Sequence, residues 1–339
     1  MIRRPPRSTL ILTLFPYTTL FRSHAFGNAM IFKPAELTPL SAAELPAIMR
    51  AAGVPDGVFQ VVQGGTDTGR LLVQHPGIAK VSVTGAVETG RAVMGAAAPT
   101  LKHVTLELGG KNPFVVFPDA DLDRVVETAV SGMNFAWAGQ SCGSTSRLLL
   151  HELVHDEVVD RVAARMAALR VGDPLDPHSE MGPVNSARQH ARVLELIDSA
   201  RREGARLVTG GGRPPGAAFE NGYWVQPTLF ADVTPTMRLA REEVFGPVVC
   251  ALKFRDEAEA VSLANDSELG LTAAVWTREL PLAMRMIRQI EAGTVWINTA
   301  GQHFVGTPFG GWKDSGLGGE ECLEELLSYS RLKAVHVLS

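Results

Sequence analysis

From residue 24 onward, short apolar runs alternate with longer stretches whose apolar positions recur every three or four residues. Ala29-Met30-Ile31-Phe32 reads as a strand, as do residues 58–62 and 78–83. Between the first two, Thr38 is placed to cap a helix with Pro39 in its first turn, and Gly53 to end it. A further helix is predicted to begin near Val87. Residues 119–131 read as an amphipathic helix started by an acid, and residues 154–169 place Val158, Val159, Val162, Met166 and Leu169 on one face. Leu148-Leu149-Leu150, residues 271–276 and residues 293–298 are further buried strands, and residues 334–338 an edge strand open to pairing with another subunit. Strands separated by helices predict right-handed βαβ units and a parallel sheet, hence an α/β fold. The Gly/Pro-rich residues 210–216 read as a surface loop.

A length of 339 residues favours two domains over one. With 45% hydrophobic and 20% charged residues the chain is of the globular class, and no apolar run approaches a membrane span. The formal charge of 32 − 36 = −4, without a basic or acidic block, argues against a nucleic-acid or anionic-membrane partner. Cys142, Cys250 and Cys322 are odd in number and far apart, which fits a reducing cytoplasm rather than a disulfide framework. Residues 1–23 stand apart: Arg3-Arg4-Pro5-Pro6-Arg7 and the apolar Leu10 to Phe15 imitate a signal peptide, but Pro16 interrupts the run and no small-residue cleavage site follows. They read as a non-native leader.

Candidate chemistry centres on residues 134–147, where Cys142 sits among Gly, Ser and Gln. Nothing bulky blocks its sulfur there, and nearby backbone N–H groups could meet a developing negative charge. Composition alone leaves open a reactive thiol and an inert structural one. Upstream, Glu107 lies between two leucines and before Gly109-Gly110-Lys111. A carboxylate buried there would have a raised pKa and could take up a proton near neutral pH. His151-Glu152-Leu153-Val154-His155 matches a zinc-protease pattern, which needs both histidines on one helix face. Here His151 is read as ending a strand and the helix as starting after it, so no metal site is expected. Gly64 to Gly69 lacks the Gly-Lys-Ser/Thr ending of a phosphate loop and reads as a strand-to-helix turn.

The Glu107-Leu108-Gly109-Gly110-Lys111 run, the Gly139-Gln140-Ser141-Cys142 run and Glu242-Glu243-Val244-Phe245-Gly246-Pro247, in that order and spacing, resemble the aldehyde dehydrogenase superfamily. The resemblance implies a partial Rossmann-type cofactor domain over residues 24–109, an α/β catalytic domain over 110–312 and a returning tail with an oligomerisation strand over 313–339. It makes Cys142 the nucleophile toward an aldehyde and Glu107 the base for the water that releases an acid. For the cofactor it implies Lys33 and Glu36 at the adenosine ribose, and Thr84, Gly85 and Ala86 at the pyrophosphate. Leu108 joins them, with Glu243 at the nicotinamide ribose and Phe245 near the nicotinamide ring. Glu36 would accept from a 2′-OH and repel a 2′-phosphate, which favours NAD, with NADP the alternative. Serine is usual in the family where Ala86 stands. Met133, Trp137, Ser141, Gly143, Phe304 and Phe309 would line the substrate tunnel, where Trp137 and Phe304 suit an aromatic or bulky apolar aldehyde and Trp137 also a cationic one, plain core residues being the alternative for both. A homodimer or homotetramer is implied for the full-length form. The family's second oxyanion donor, an asparagine, belongs to a segment upstream of residue 24 that is not recognised here, so the chain reads as N-terminally incomplete. An inactive relative that keeps the fold or nucleotide binding is the competing reading.

Overall fold

Lys80–Thr84 alternates polar and apolar residues, yet its first four residues are all buried, as in a strand covered on both faces. It lies inside a six-stranded sheet in the order Gly316–Leu317, His103–Glu107, Lys80–Thr84, Thr9–Leu12, Met30–Phe32, Phe59–Val61. All neighbours are parallel except the first pair, in which Gly316 lies opposite Glu107. This computed structural model describes residues 2–4, 9–12, 22–304 and 306–338. The chain forms two compact units: Met1–Leu108 with His303–Gly311 and Ser315–Ser339, and Gly109–Gln302 with Trp312–Asp314.

In the first unit the helix Val87–Ala97 lays Gly90, Val93 and Ala97 toward a core of Val73, Ile78, Val81, Val83, Leu106 and Leu108. A side chain at Gly90 would meet the Leu108 isobutyl group at 2.5 Å, so the helix approaches the strand end only because that position is bare. A smaller cluster of Met30, Phe32, Ala42 and Phe59 sits under the helix Leu40–Ala51.

Three expectations change here. Thr38 does not cap that helix; Pro39 occupies the N-cap without a side-chain bond, and the Thr38 amide donates to Ala35 O in the preceding turn. The C-terminal strand is Arg331–Lys333, paired antiparallel with Ile2–Arg4, and residues 334–338 form no strand among the described residues. An extended run acquires a ladder only where another backbone offers donors and acceptors, and Ile2–Arg4 offers them to residues 331–333. The segment read as a leader also enters the sheets, since Thr9–Leu12 lies between Met30–Phe32 and Lys80–Thr84. The rest of that leader, residues 1, 5–8 and 13–21, lies outside the described residues, as does residue 305 in the predicted substrate stretch.

The second unit carries a seven-stranded sheet in the order Thr294–Ile297, Thr272–Trp276, Pro113–Val116, Arg147–His151, Val248–Phe254, Thr228–Ala231, Arg206–Thr209. Only the last strand is antiparallel to its neighbour. Its helices include Leu122–Ser131 and His155–Ala167. The first starts later than its acidic entry suggested: Asp121 caps it by accepting from Arg124 N at 3.2 Å. Asp119 instead accepts from Thr277 Oγ1 and Arg278 N, at 2.8 and 2.7 Å. His151 ends a strand and His155 opens a helix, as read. Among the described residues no helix is long and apolar enough to cross a membrane, and no cluster of three or more His, Cys, Asp or Glu could hold a metal ion.

Candidate active site

The loop bearing Cys142 is wound tightly. A 3-10 turn, Phe135–Trp137, is flanked by Asn134 and Ala138 in the left-handed region at φ 55° and 51°, and Gly139 follows at φ 68°. A side chain at Gly139 would lie 2.3 Å from Gly246 O, so glycine is what lets this loop meet the segment after Glu243. The Ser144 amide donates to Ser141 O at 3.2 Å, closing a turn around Cys142, whose residue is half-buried. Ser144 Oγ donates to Met133 O at 3.0 Å, and the strand Arg147–His151 begins directly after.

Two acids are placed very differently. Glu107 ends its strand in the first unit at 3% exposure, and neither carboxylate oxygen has a hydrogen-bond partner among the described residues. Burial, reinforced by Glu320, Glu325 and Glu321, pushes its pKa up to about 9, so at neutral pH it carries a proton. Gly310 faces it bare; a side chain there would come to 3.3 Å from Oε1. Glu243, in the second unit, accepts from Gly110 N at 3.0 Å, and a side chain at Gly109 would sit 2.2 Å from its Oε2. The paired glycines let a carboxylate approach the backbone. Phe245 is held at φ 51°, and Gln189 Nε2 donates to the carbonyls of Val244 and Phe245 at 2.8 and 3.0 Å.

The remaining predicted residues fall into two groups. In the second unit Met133, Ser141, Glu243 and Phe245 line one small cleft with Gly110 and Gly139. Met133 is also packed in the core, Trp137 is 56% exposed and Gly143 is half-buried. In the first unit Lys33 and Glu36 follow Met30–Phe32, with Lys33 Nζ 4.0 Å from Glu36 Oε2 and donating to Pro34 O at 2.9 Å. Gly85 N donates to Glu107 O at 3.1 Å, which ties the Thr84–Gly85–Ala86 turn to the neighbouring strand end. Ala86 is the extended N-cap of Val87–Ala97 and offers no side-chain bond, so the first amides of the helix have no side-chain cap there. Leu108 is buried and its amide donates to Ser315 O at 2.8 Å. The Phe309 ring packs on His303 at 4.7 Å between ring centres, and Phe304 is exposed.

Four side chains that organise the second unit escaped the sequence reading. Asn112 bonds the carbonyls of Cys142 and Ser144, Gln189 bonds those of Val244 and Phe245, and Gln140 and Asn185 exchange two bonds at 2.9 and 3.0 Å. No local signal marks Asn112, because its partners lie 30, 32 and 160 positions away.

Residues 14–335 match the Aldehyde dehydrogenase family. The chain belongs to that family. It is 48% identical over 317 residues to the aldehyde dehydrogenase tropH of Talaromyces stipitatus, covering 92% of this chain and 61% of that protein. To a betaine aldehyde dehydrogenase of Rhizobium etli it is 51% identical over 311 residues, covering 92% and 63%. Among solved structures, a betaine aldehyde dehydrogenase of Staphylococcus aureus in complex with NAD+ superposes with a TM-score of 0.93 at 34% identity, over 97% of this chain and 67% of that one. An NAD-dependent aldehyde dehydrogenase of Sinorhizobium meliloti gives 0.95 at 38%, over 99% and 67%. This aldehyde dehydrogenase chain thus spans about three fifths of the length of the two curated relatives.

Proposed function

We propose that the chain oxidises an aldehyde to a carboxylic acid with NAD+, with Cys142 as the nucleophile and Glu107 as the base. The observation that carries the reading is the Cys142 loop: a half-buried thiol among small residues on a backbone held in place by Asn112. The thiolate adds to the aldehyde carbonyl, forming a C–S bond and a tetrahedral carbon from which a hydride can leave. NAD+, when bound, accepts that hydride. The thioester left on Cys142 is hydrolysed by water, whose proton Glu107 takes once it is ionised. An acid buried without hydrogen bonds is a stronger base than an exposed one, because ionisation leaves its charge poorly solvated.

The residues present fit a dinucleotide. Lys33 and Glu36 follow one parallel strand, and the uncapped start of Val87–Ala97 follows another, at the carboxyl ends where such sheets bind nucleotides. Lys33 and Glu36 would hold the adenosine ribose, Thr84, Gly85 and Ala86 the pyrophosphate, and Glu243 the nicotinamide ribose, with Leu108 and Phe245 beside the nicotinamide end. The exposed carboxylate of Glu36 favours NAD over NADP. Met133, Trp137, Ser141, Gly143, Phe304 and Phe309 are proposed to line the substrate path. Three free cysteines support a reducing, cytoplasmic setting, and the exposed Leu332, Val335, Val337 and Leu338 support a homo-oligomer.

The test follows NADH formation by the full chain with a panel that includes betaine aldehyde and an aromatic aldehyde. Turnover of at least one is expected, falling at least about a thousandfold in Cys142→Ala. If chain and variant match on every aldehyde, the reading fails and a non-enzymatic relative takes its place.

A further inference from the structure

Asn112 is 1% exposed, and its side-chain amide is fully used. Nδ2 donates to Cys142 O at 2.7 Å and to Ser144 O at 2.9 Å, while Oδ1 accepts from Thr272 N at 3.0 Å. Its own carbonyl accepts from Arg147 N at 3.2 Å. One buried residue therefore ties the Cys142 loop to two strands of the sheet. Gly110 makes this reach possible, since a side chain there would fall 2.5 Å from Cys142 O and 2.4 Å from Asn112 Oδ1.

The consequence lies on the other side of the Cys142–Gly143 peptide. In a planar trans peptide the carbonyl and the following N–H point in opposite directions. With the Cys142 carbonyl turned inward onto Asn112, the Gly143 N–H is turned outward. That N–H has no hydrogen-bond partner among the described residues, and a side chain built on Gly143 would meet nothing within 4 Å. The peptide thus presents a bare donor at the residue that follows Cys142. If the plane rotated by half a turn, a carbonyl oxygen would occupy that face and repel an oxyanion.

We infer that Asn112 is a positioning residue: by holding the Cys142–Gly143 peptide with its carbonyl inward, it keeps the Gly143 N–H directed at the oxyanion that forms when the Cys142 thiolate adds to a carbonyl. The inference rests on Cys142 being the nucleophile, and acts through Gly143 rather than through contact with substrate.

Two reagents that attack the same thiol separate this role from general support of the loop. With 4-nitrophenyl acetate the thiolate adds to the ester carbonyl; the C–S bond forms, a tetrahedral oxyanion collapses, 4-nitrophenolate leaves and the thiol proton goes to solvent. Iodoacetamide is displaced at a saturated carbon, with iodide leaving and no oxyanion. In the full chain, Asn112→Ala is expected to slow acetylation of Cys142 by about ten- to a hundredfold, against the larger loss typical of deleting a donor outright. Alkylation should change by less than about threefold, since its transition state needs no such donor. Gly143→Pro, which removes the N–H itself, is expected to give a loss of the same selectivity but larger, about a hundred- to a thousandfold, and serves if Asn112→Ala does not fold. Equal slowing of both reactions in Asn112→Ala, no slowing of acetylation in that variant, or a parental acetylation rate in Gly143→Pro would overturn the inference and leave the nucleophile in place. Peptide mapping that finds no acetyl group on Cys142 of the parent chain would remove the nucleophile and the inference together.

Discussion

Two cysteines of the second unit stand in opposite settings. Cys142 lies half-buried in a loop of Gly, Ser and Gln, while Cys250 lies in the strand Val248–Phe254 at 0% exposure, its Sγ 3.6 Å from the carbonyls of Ser146 and Leu239. Near Cys250 are two basic groups, Lys111 and Arg147, an arrangement that in water would activate a thiol. Burial outweighs them and pushes the Cys250 thiol up. Desolvation likewise lowers Lys111, whose Nζ has no hydrogen-bond partner among the described residues. A cation beside a thiol therefore marks reactivity only where solvent or a substrate can also reach, and of these two thiols only that of Cys142 is half-buried rather than sealed in a strand.

The sharpest way to break that contrast is competitive labelling. With iodoacetamide at pH 8, Cys142 is expected to react about a thousandfold faster than Cys250, because only an ionised and accessible sulfur attacks. Peptide mapping over a time course measures the ratio. Comparable rates would mean that the strand opens readily and that burial in the sheet does not silence Cys250.

Glu107 carries the comparison to the acids. Replacing it by Gln is expected to cut turnover about a hundredfold and to remove a limb of the pH profile that rises up to about pH 9. The sign for stability is fixed by its raised pKa. Between the unfolded value of 4.5 and the folded value of about 9, the folded chain holds a proton that the unfolded chain has lost, so stability falls as pH rises. Glu107→Gln should then be more stable than the parent by roughly 1–4 kcal/mol at pH 8, with no difference below pH 4.5. Urea unfolding at the two pH values checks it. A parent that is the more stable of the two at pH 8 would mean that the carboxylate is compensated rather than stranded.

Most of the strand and helix order was legible because it rests on local pattern: the buried run at Lys80–Thr84 and the apolar face of His155–Ala167 announce themselves in the sequence. What escaped depends on distant partners. Asp119 read as the acid that starts the helix, yet its Oδ2 accepts from Thr277 and Arg278, more than 150 positions away. The terminal strand was misplaced by three residues because apolar alternation reports which side chains can face a core, not which backbone will pair. Cys142 and Glu107 were candidates in the sequence because the motifs around them are local. Asn112, Gln189 and the Gln140–Asn185 exchange were not, because an amide side chain that will bond groups distant in sequence looks no different from a solvated one.

The smallest expected effect tests the inert side of the comparison. Lys111 spends desolvation free energy on an amine that no hydrogen bond among the described residues repays, so Lys111→Met, which keeps length and volume but removes the amine, should stabilise the chain by about 1 kcal/mol at pH 7. The pH dependence runs opposite to that of Glu107. Because the folded pKa lies below 10.5, the unfolded chain holds the extra proton between the two values, and the parent gains stability as pH rises through that window. The advantage of Lys111→Met should therefore shrink toward pH 10, as read by urea midpoints across the range. A variant less stable than the parent at every pH would show that the amine is needed by the carbonyls around it, and that the surroundings of Cys250 are polar rather than merely closed.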